Sequence, residues 1–117
     1  MTSEKLQIGV VGCGGEAMLY IQDYFLTDKA EVTIVQDIDA RKAEECARKF
    51  SIPRWTTDMQ EVLGSDVDAI DISTPNYLHA LQTIAALGAG KHVLVQKPMA
   101  PTIDECEAMI AAARSVN

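Results

Sequence analysis

A stretch with two glycines near the start of the chain has the residue types and spacing to bind a phosphate group. Gly12-x-Gly14-x-x-Ala17 follows a β-like run over residues 6–11 and precedes a helical pattern. The first glycine permits a tight turn, the second lets the backbone approach a pyrophosphate, and the small third residue lets helix and strand pack closely. The pattern therefore predicts a dinucleotide phosphate site, although a tight turn without a ligand has the same sequence.

An acidic residue, Asp37, stands where a dinucleotide site needs one. It lies 20 residues after Ala17, at the end of the second β-like run, where a carboxylate can accept hydrogen bonds from ribose hydroxyls. The same charge would repel a 2′-phosphate, which favours NAD over NADP. A helix cap or a solvated loop acid is the alternative for Asp37. Asp39 is the better candidate for the cap of the next helix, and Arg41 either meets a 2′-phosphate or lies in solvent.

Residues 73–79 predict a turn after the fourth β-like run. Pro75 sets a rigid turn, and Asn76 can cap the helix that follows. His79 falls in the first turn of that helix, where a histidine more often has a structural role or faces solvent. This segment needs no ligand to account for it.

Residues 96–98, Gln-Lys-Pro, follow the fifth β-like run and include the best catalytic candidate of the chain, Lys97. A lysine at the carboxyl end of a parallel strand faces the ligand cleft. Its ammonium can hydrogen-bond a substrate hydroxyl or take part in proton transfer. Taken alone, an exposed surface lysine would be the simpler interpretation.

The predicted elements bring these candidates to one edge of a sheet. β-like runs at 6–11, 31–36, 54–56, 69–73 and 92–96 alternate with helical patterns at 17–26, 40–50 and 77–87. Capping boxes at Thr57-x-x-Gln60 and Thr102-x-x-Glu105 predict a short helix that Gly64 ends and a last helix through Cys106, Met109, Ile110 and Ala113. This alternation predicts an α/β fold, a doubly wound parallel sheet of about five strands with flanking helices. Right-handed crossovers place every strand's carboxyl end at the same edge, where ligands bind.

Composition and charge disfavour several other classes of protein. A chain of 117 residues is one domain by length, and its net charge of −7 disfavours nucleic-acid binding. Its three cysteines lack metal-ligand spacing and suit a reducing cytosol. The polar amino terminus and the short apolar runs predict a cytoplasmic protein with no signal segment or membrane span. A similar glycine run occurs in S-adenosylmethionine-dependent methyltransferases, but the acid that usually precedes their glycines is missing here.

Taken in order, these motifs resemble those of the glucose–fructose oxidoreductase / inositol dehydrogenase / rhizopine-catabolism (Gfo/Idh/MocA) family. The resemblance covers essentially the whole chain. It comprises the glycine turn, Val-Gln-Asp-Ile-Asp at 35–39, Ser-Thr-Pro-Asn-x-x-His at 73–79, Ala-Gly-Lys-His-Val at 89–93 and Lys-Pro-Met-Ala at 97–100. Members of this family are NAD(P)-dependent oxidoreductases with a Rossmann-type domain, and they act on sugars, cyclitols and related polyols.

The resemblance implies roles for individual residues. Lys97 is the implied catalytic residue, in contact with the substrate hydroxyl, and the Lys97–Pro98 peptide is implied to be cis. The glycine turn would line the pyrophosphate, Asp37 would hold the adenine ribose, and Pro75 with Asn76 would flank the nicotinamide. The implied cofactor-binding set is Gly12, Cys13, Gly14, Gly15, Glu16, Ala17, Asp37, Ile38, Ser73, Thr74, Pro75, Asn76, His79, Gln96, Lys97 and Pro98, with no metal.

Two departures from the family pattern bear on function. The family usually has Glu-Lys-Pro, whereas this chain has Gln96, which keeps an acceptor for a ribose hydroxyl but lacks the charge near Lys97. The family's second, α+β domain is absent, so residues 1–117 are expected to be the NAD-binding domain of a two-domain oxidoreductase.

The expected function is hydride transfer between NAD and a sugar, cyclitol or related polyol, by a domain not competent for turnover alone. The alternative is a stand-alone module that senses a dinucleotide or binds a partner. Pairing with a second copy through exposed elements is a further option, and no nucleic-acid or membrane partner is expected.

Overall fold

The computed structural model describes residues 5–96 and 99–116. The strands are β1 (Leu6–Val11), β2 (Ala30–Gln36), β3 (Arg54–Thr56), β4 (Ala69–Ile72) and β5 (His92–Val95). The helices are α1 (Gly15–Tyr24), α2 (Ala40–Phe50), α3 (Met59–Leu63), α4 (His79–Gly88) and α5 (Ile103–Val116), and a 3-10 turn (Asn76–Leu78) precedes α4. The candidate Lys97 and the Lys97–Pro98 peptide lie outside the described residues.

The sheet confirms the predicted doubly wound fold. Its five strands are parallel and follow the order β3-β2-β1-β4-β5. Val11, the last residue of β1, pairs with Gln36 on one side and with Ile72 on the other, and Ile72 pairs with Val95. The ends of these four strands are therefore level at one edge. The chain changes direction across the sheet between β1 and β4, and such a point opens a crevice for a ligand.

Two apolar layers cover the sheet, one on each face. Helices α1 and α2 bury Ala17, Ile21 and Cys46 against one face. Helices α3 and α4 bury Val62 and Ala86 against the other. Burial on both faces explains why consecutive branched apolar residues, Val10–Val11 on β1 and Ile34–Val35 on β2, are both buried.

The predicted cap of α3 is wrong by one residue. Asp58, and not Thr57, caps this helix, because its carboxylate accepts a hydrogen bond from the Gln60 backbone N–H at 2.9 Å. The Thr56 hydroxyl accepts from the Asp58 N–H at 3.0 Å and orients this turn. The predicted end at Gly64 is confirmed.

The caps of the two following helices also differ from prediction. Asn76 does not cap α4, because it lies inside the 3-10 turn that makes the transition from Pro75 into the helix. At α5 the Thr102 hydroxyl accepts from the Glu105 N–H, as predicted, but the Glu105 carboxylate accepts from the Thr102 hydroxyl and not from its backbone. The capping box of α5 is therefore only half formed.

The last helix packs along one side of the molecule, against α4. Of its predicted apolar positions, Met109 is buried and Cys106 is half-buried, while Ile110 and Ala113 are exposed. The buried stripe is narrow because α5 packs mainly against one other helix. Within the described ranges, no helix has the length and apolar character needed to cross a membrane.

Candidate nucleotide-binding site

A cleft of about 580 Å³ opens at the carboxyl edge of the sheet. The turns after β1, β2 and β4 form it. Its lining residues are Gly12, Gly14, Gly15, Gln36, Asp37, Ile38, Asp39, Lys42, Ser73, Thr74, Pro75, Tyr77, Leu78 and Gln82. Three segments that are distant in sequence therefore meet around one space.

The glycine turn has the backbone that its sequence predicts. Gly12 has a φ of +98°, and a Cβ on it would lie 2.8 Å from the backbone oxygen of Ser73. The Gly12 N–H donates to the backbone oxygen of Gln36 at 2.7 Å, and this hydrogen bond holds the turn against β2. Gly14 and Gly15 have no atom within 4 Å of where a Cβ would stand, so their backbone faces open space. Gly14 caps α1 without a side-chain hydrogen bond, which leaves amides at the helix start to meet an anion.

Asp37 connects the glycine turn to the start of α2. Its Oδ2 accepts from the Cys13 N–H and its Oδ1 from the Asp39 N–H, both at 2.9 Å. A carboxylate has about four lone-pair sites, so each oxygen can still accept a ribose hydroxyl. Asp39 caps α2 by accepting from the Arg41 and Lys42 N–H groups, as predicted.

Among the described residues, the basic side chain that lines the cleft is Lys42 and not Arg41. Lys42 lines the cleft on the first turn of α2, three residues after Asp39 and on the same side of the helix. Arg41 is exposed and is not a lining residue. The contribution of Lys42 was missed, although its spacing from Asp39 could have indicated it.

The turn after β4 forms the opposite wall. Ser73, Thr74 and Pro75 line the cleft, whereas Asn76 is half-buried and is not a lining residue. His79 is 1% exposed, and its Nε2 lies 2.7 Å from the backbone carbonyl oxygen of Thr74. Because a carbonyl only accepts, Nε2 carries the proton and donates. His79 thus holds the backbone of the turn and does not line the cleft.

Gln82 is a lining residue that sequence reasoning missed. Its Oε1 accepts from the Thr74 hydroxyl at 2.5 Å. It lies one helical turn beyond Leu78, which also lines the cleft, so the spacing was a readable signal. Tyr77 and Gln36 are likewise lining residues that the sequence did not single out.

Cys13 and Ala17 support the turn from beneath. Both are buried, and the Cys13 thiol donates to the Gln36 oxygen at 3.4 Å. A hydrogen bond with Cys46, and then burial, raise the pKa of the Cys13 thiol well above its ordinary value. Cys13 is therefore a packed thiol and not a nucleophile.

We expect the three cysteines to differ sharply in reactivity. Cys13 and Cys46 are buried and Cys106 is half-buried, and the thiolate is the reacting form. With Ellman's reagent at pH 8, the folded chain should release one fast equivalent, and the other two should follow only in denaturant. The fast phase should vanish in Cys106→Ser. Rapid labelling of all three cysteines without denaturant would contradict the buried placement of Cys13.

A parallel sheet with a glycine turn at a helix start, and a carboxylate at the end of the neighbouring strand, defines a Rossmann-type dinucleotide-binding domain. Residues 6–117 match the Gfo/Idh/MocA oxidoreductase family with the NAD-binding Rossmann fold. The chain belongs to this family.

Relatives of known activity and solved structures agree with this assignment. The chain is 36% identical over 107 residues to a 1,5-anhydro-D-fructose reductase of Ensifer adhaerens, which covers 91% of this chain and 32% of that protein. It is 38% identical over 102 residues to an NADP(+)-dependent scyllo-inositol 2-dehydrogenase of Bacillus subtilis, covering 82% of this chain and 31% of that protein. The WlbA dehydrogenase of Bordetella pertussis, solved with NADH and UDP-GlcNAcA, superposes with a TM-score of 0.92 at 27% identity, over 97% of this chain and 35% of that one. The chain therefore spans about a third of the proteins it matches.

Proposed function

We propose that this chain is the nucleotide-binding part of an oxidoreductase that transfers hydride between NAD and a sugar, cyclitol or related polyol. The observation that carries the proposal is the convergence of the glycine turn, Asp37 and residues 73–75 around one cleft at the switch point of the sheet. Relatives named as an anhydrofructose reductase and an inositol dehydrogenase support the substrate class.

The residues of the cleft suit a dinucleotide. The open backbone at Gly14 and Gly15 leaves room for a pyrophosphate where a side chain would intrude. Asp37 offers its remaining lone pairs to the adenine ribose. Thr74 and Pro75 would flank the nicotinamide, which supplies a hydride acceptor or donor when bound.

The sequence following β5 would supply the proton chemistry. Gln96 continues β5 through a backbone hydrogen bond from its N–H to the Ile72 oxygen at 3.0 Å. Lys97 comes next in the chain, and we assign it to hydrogen-bond the substrate hydroxyl. A general acid–base group in this position lowers the cost of moving the hydroxyl proton.

Two charged groups oppose each other in the choice between NAD and NADP. Lys42 would attract a 2′-phosphate, whereas Asp37 would repel one. Asp37 is half-buried and both its oxygens are held by backbone N–H groups, while Lys42 is exposed on a flexible stem. The fixed carboxylate should dominate, so we propose a preference for NAD.

We expect Asp37→Ala to weaken NADH binding by about 1–3 kcal/mol, the range for hydrogen bonds to a charged group. Calorimetric titration with NADH and NADPH measures the change. Asp58→Ala is the matched control, because Asp58 also accepts from a backbone N–H but lies outside the cleft lining. This control should lose stability and keep its NADH affinity. Equal affinity of the unmodified chain for NADH and NADPH would overturn the assignment of Asp37.

A further inference from the structure

A buried carboxylate, Asp71, lies beneath the wall of the cleft that the turn after β4 forms. Its side chain is on β4 and is 1% exposed. A buried carboxylate is costly unless donors surround it. Tyr24 donates to Oδ2 at 2.8 Å, while Ser73 and Gln96 donate to Oδ1 at 3.1 and 3.0 Å.

The three donors come from elements that end at the cleft or support it. Ser73 lines the cleft, Gln96 is the last described residue before the candidate Lys97, and Tyr24 ends α1, the helix that the glycine turn opens. Burial, and then the charge of Asp71, raise the pKa of Tyr24, so its hydroxyl stays protonated and donates. The remaining neighbours of Asp71 across the sheet are Val10 on β1 and Leu94 on β5, which do not titrate.

The bond to Asp71 determines the orientation of the Gln96 amide. Because Nε2 donates to the carboxylate, Oε1 is the end that remains as an acceptor. The backbone of Gln96 is held as well, by its bond to the Ile72 oxygen. Both the side chain and the main chain are thus oriented at the point where the chain leaves β5.

We propose that Asp71 and Gln96 form a positioning pair that holds the end of β5 against the cleft wall, and that Asp71 is the reason this position carries an amide and not a carboxylate. A glutamate at 96 would remove a donor from Asp71 and place a second carboxylate about 3 Å from it. Two carboxylates at that distance cannot both ionise, so one would keep a proton. The effect on nucleotide affinity rests on the proposed function, whereas the coupling of the two residues does not.

The first test is the variant Gln96→Glu, with Gln60→Glu as a control that adds the same charge at an exposed position of α3. The shared proton raises a carboxyl pKa in the folded state above its unfolded value. Stability is then greatest below the unfolded pKa and is lost as pH rises through the folded one. Urea unfolding at pH 5 and pH 8 should show a much lower midpoint at pH 8 for Gln96→Glu only. The affinity of this variant for NADH should be at least tenfold lower at pH 8 than at pH 5.

The second test exchanges the two groups. In Asp71→Asn/Gln96→Glu, the amide at 71 can donate to the carboxylate at 96, so the same bond forms with its direction reversed. The double variant should recover the wild-type dependence of unfolding on pH and return NADH affinity to within about threefold of wild type. If the double variant fails to regain one of these two properties, the proposed positioning pair is wrong.

The outcomes separate the pair from the proposed function. If Gln96→Glu unfolds identically at pH 5 and 8, the pairing of Asp71 with Gln96 is wrong. If its stability depends on pH but NADH affinity does not, the pair is structural and its positioning role is refuted. If the unmodified chain does not bind NADH at all, the proposed function fails, while the unfolding data still decide whether the two residues are coupled.

Discussion

We expect Gly12→Ala to lower the free energy of unfolding by about 2–6 kcal/mol, the sum of backbone strain and overpacking. The φ of +98° at this position is one that a residue with a Cβ rarely adopts, and the new methyl would lie 2.8 Å from the Ser73 backbone oxygen. The backbone cannot shift to relieve the strained φ or the close approach without breaking hydrogen bonds. The Gly12 N–H donates to the Gln36 backbone oxygen, and the Ser73 N–H donates to the Val11 backbone oxygen. The loss is large against the roughly 5–15 kcal/mol that stabilises a typical domain.

Two other glycines test whether this effect comes from the turn. Gly88→Ala at the end of α4 meets no atom within 4 Å and should leave the unfolding midpoint near that of wild type. Gly14→Ala also meets open space within the chain, but its methyl would enter the cleft where a pyrophosphate approaches. We expect this variant to unfold normally and to bind NADH at least tenfold more weakly. Urea unfolding measures the stability of all three glycine variants, and calorimetric titration measures their affinity for NADH. Equal unfolding curves for Gly12→Ala and Gly88→Ala would refute the account of the turn.

The second large effect concerns turnover, where we expect the isolated chain to bind dinucleotide without significant oxidation of a polyol. Holding the substrate in reacting geometry can contribute about 7–11 kcal/mol to lowering a barrier. The cleft is open, since its lining residues Ile38 and Tyr77 are 89% and 67% exposed. A small polyol in such a cleft exchanges freely with water. Without most of the positioning, the rate should fall by roughly 10⁵-fold or more.

The assay is the appearance of NADH over a panel that includes myo-inositol and glucose. Lys97→Ala serves as the control for catalysis by this site. Absence of turnover in a chain that binds NADH in calorimetry is the expected result. Robust turnover that disappears in Lys97→Ala would show that these residues form a complete active site.

The order of elements could be predicted from the sequence because each element carries its own local signal. The bounds of β1, α2 and β3 match the predicted ones. Branched apolar runs favour buried parallel strands, and alternation with helical patterns leaves few topologies. The turn at Gly12 and the cap at Asp39 were also predicted, since both depend on residues close in sequence.

Predictions that depended on side-chain hydrogen bonds within the turns did less well. Asp58 replaces Thr57 as a cap because the Thr56 hydroxyl orients that turn. His79 was named as a cofactor contact, but burial and its bond to Thr74 give it a supporting position. Its role in binding stays a prediction, as do those of Gln96 and of Lys97, which lies outside the described residues.

By itself, the sequence determined the fold class, and it predicted the edge of the sheet at which the cleft opens and most of the residues that line it. Tertiary structure decided which side chains face the cleft, as with Lys42 and Gln82, and which lie beneath it, as with Asp71. The physical reason is that strand and helix periodicity act over a few residues, and a single sequence shows them. The hydrogen bond of Asp71 with Gln96 joins residues 25 positions apart and exists only once β4 and β5 lie side by side.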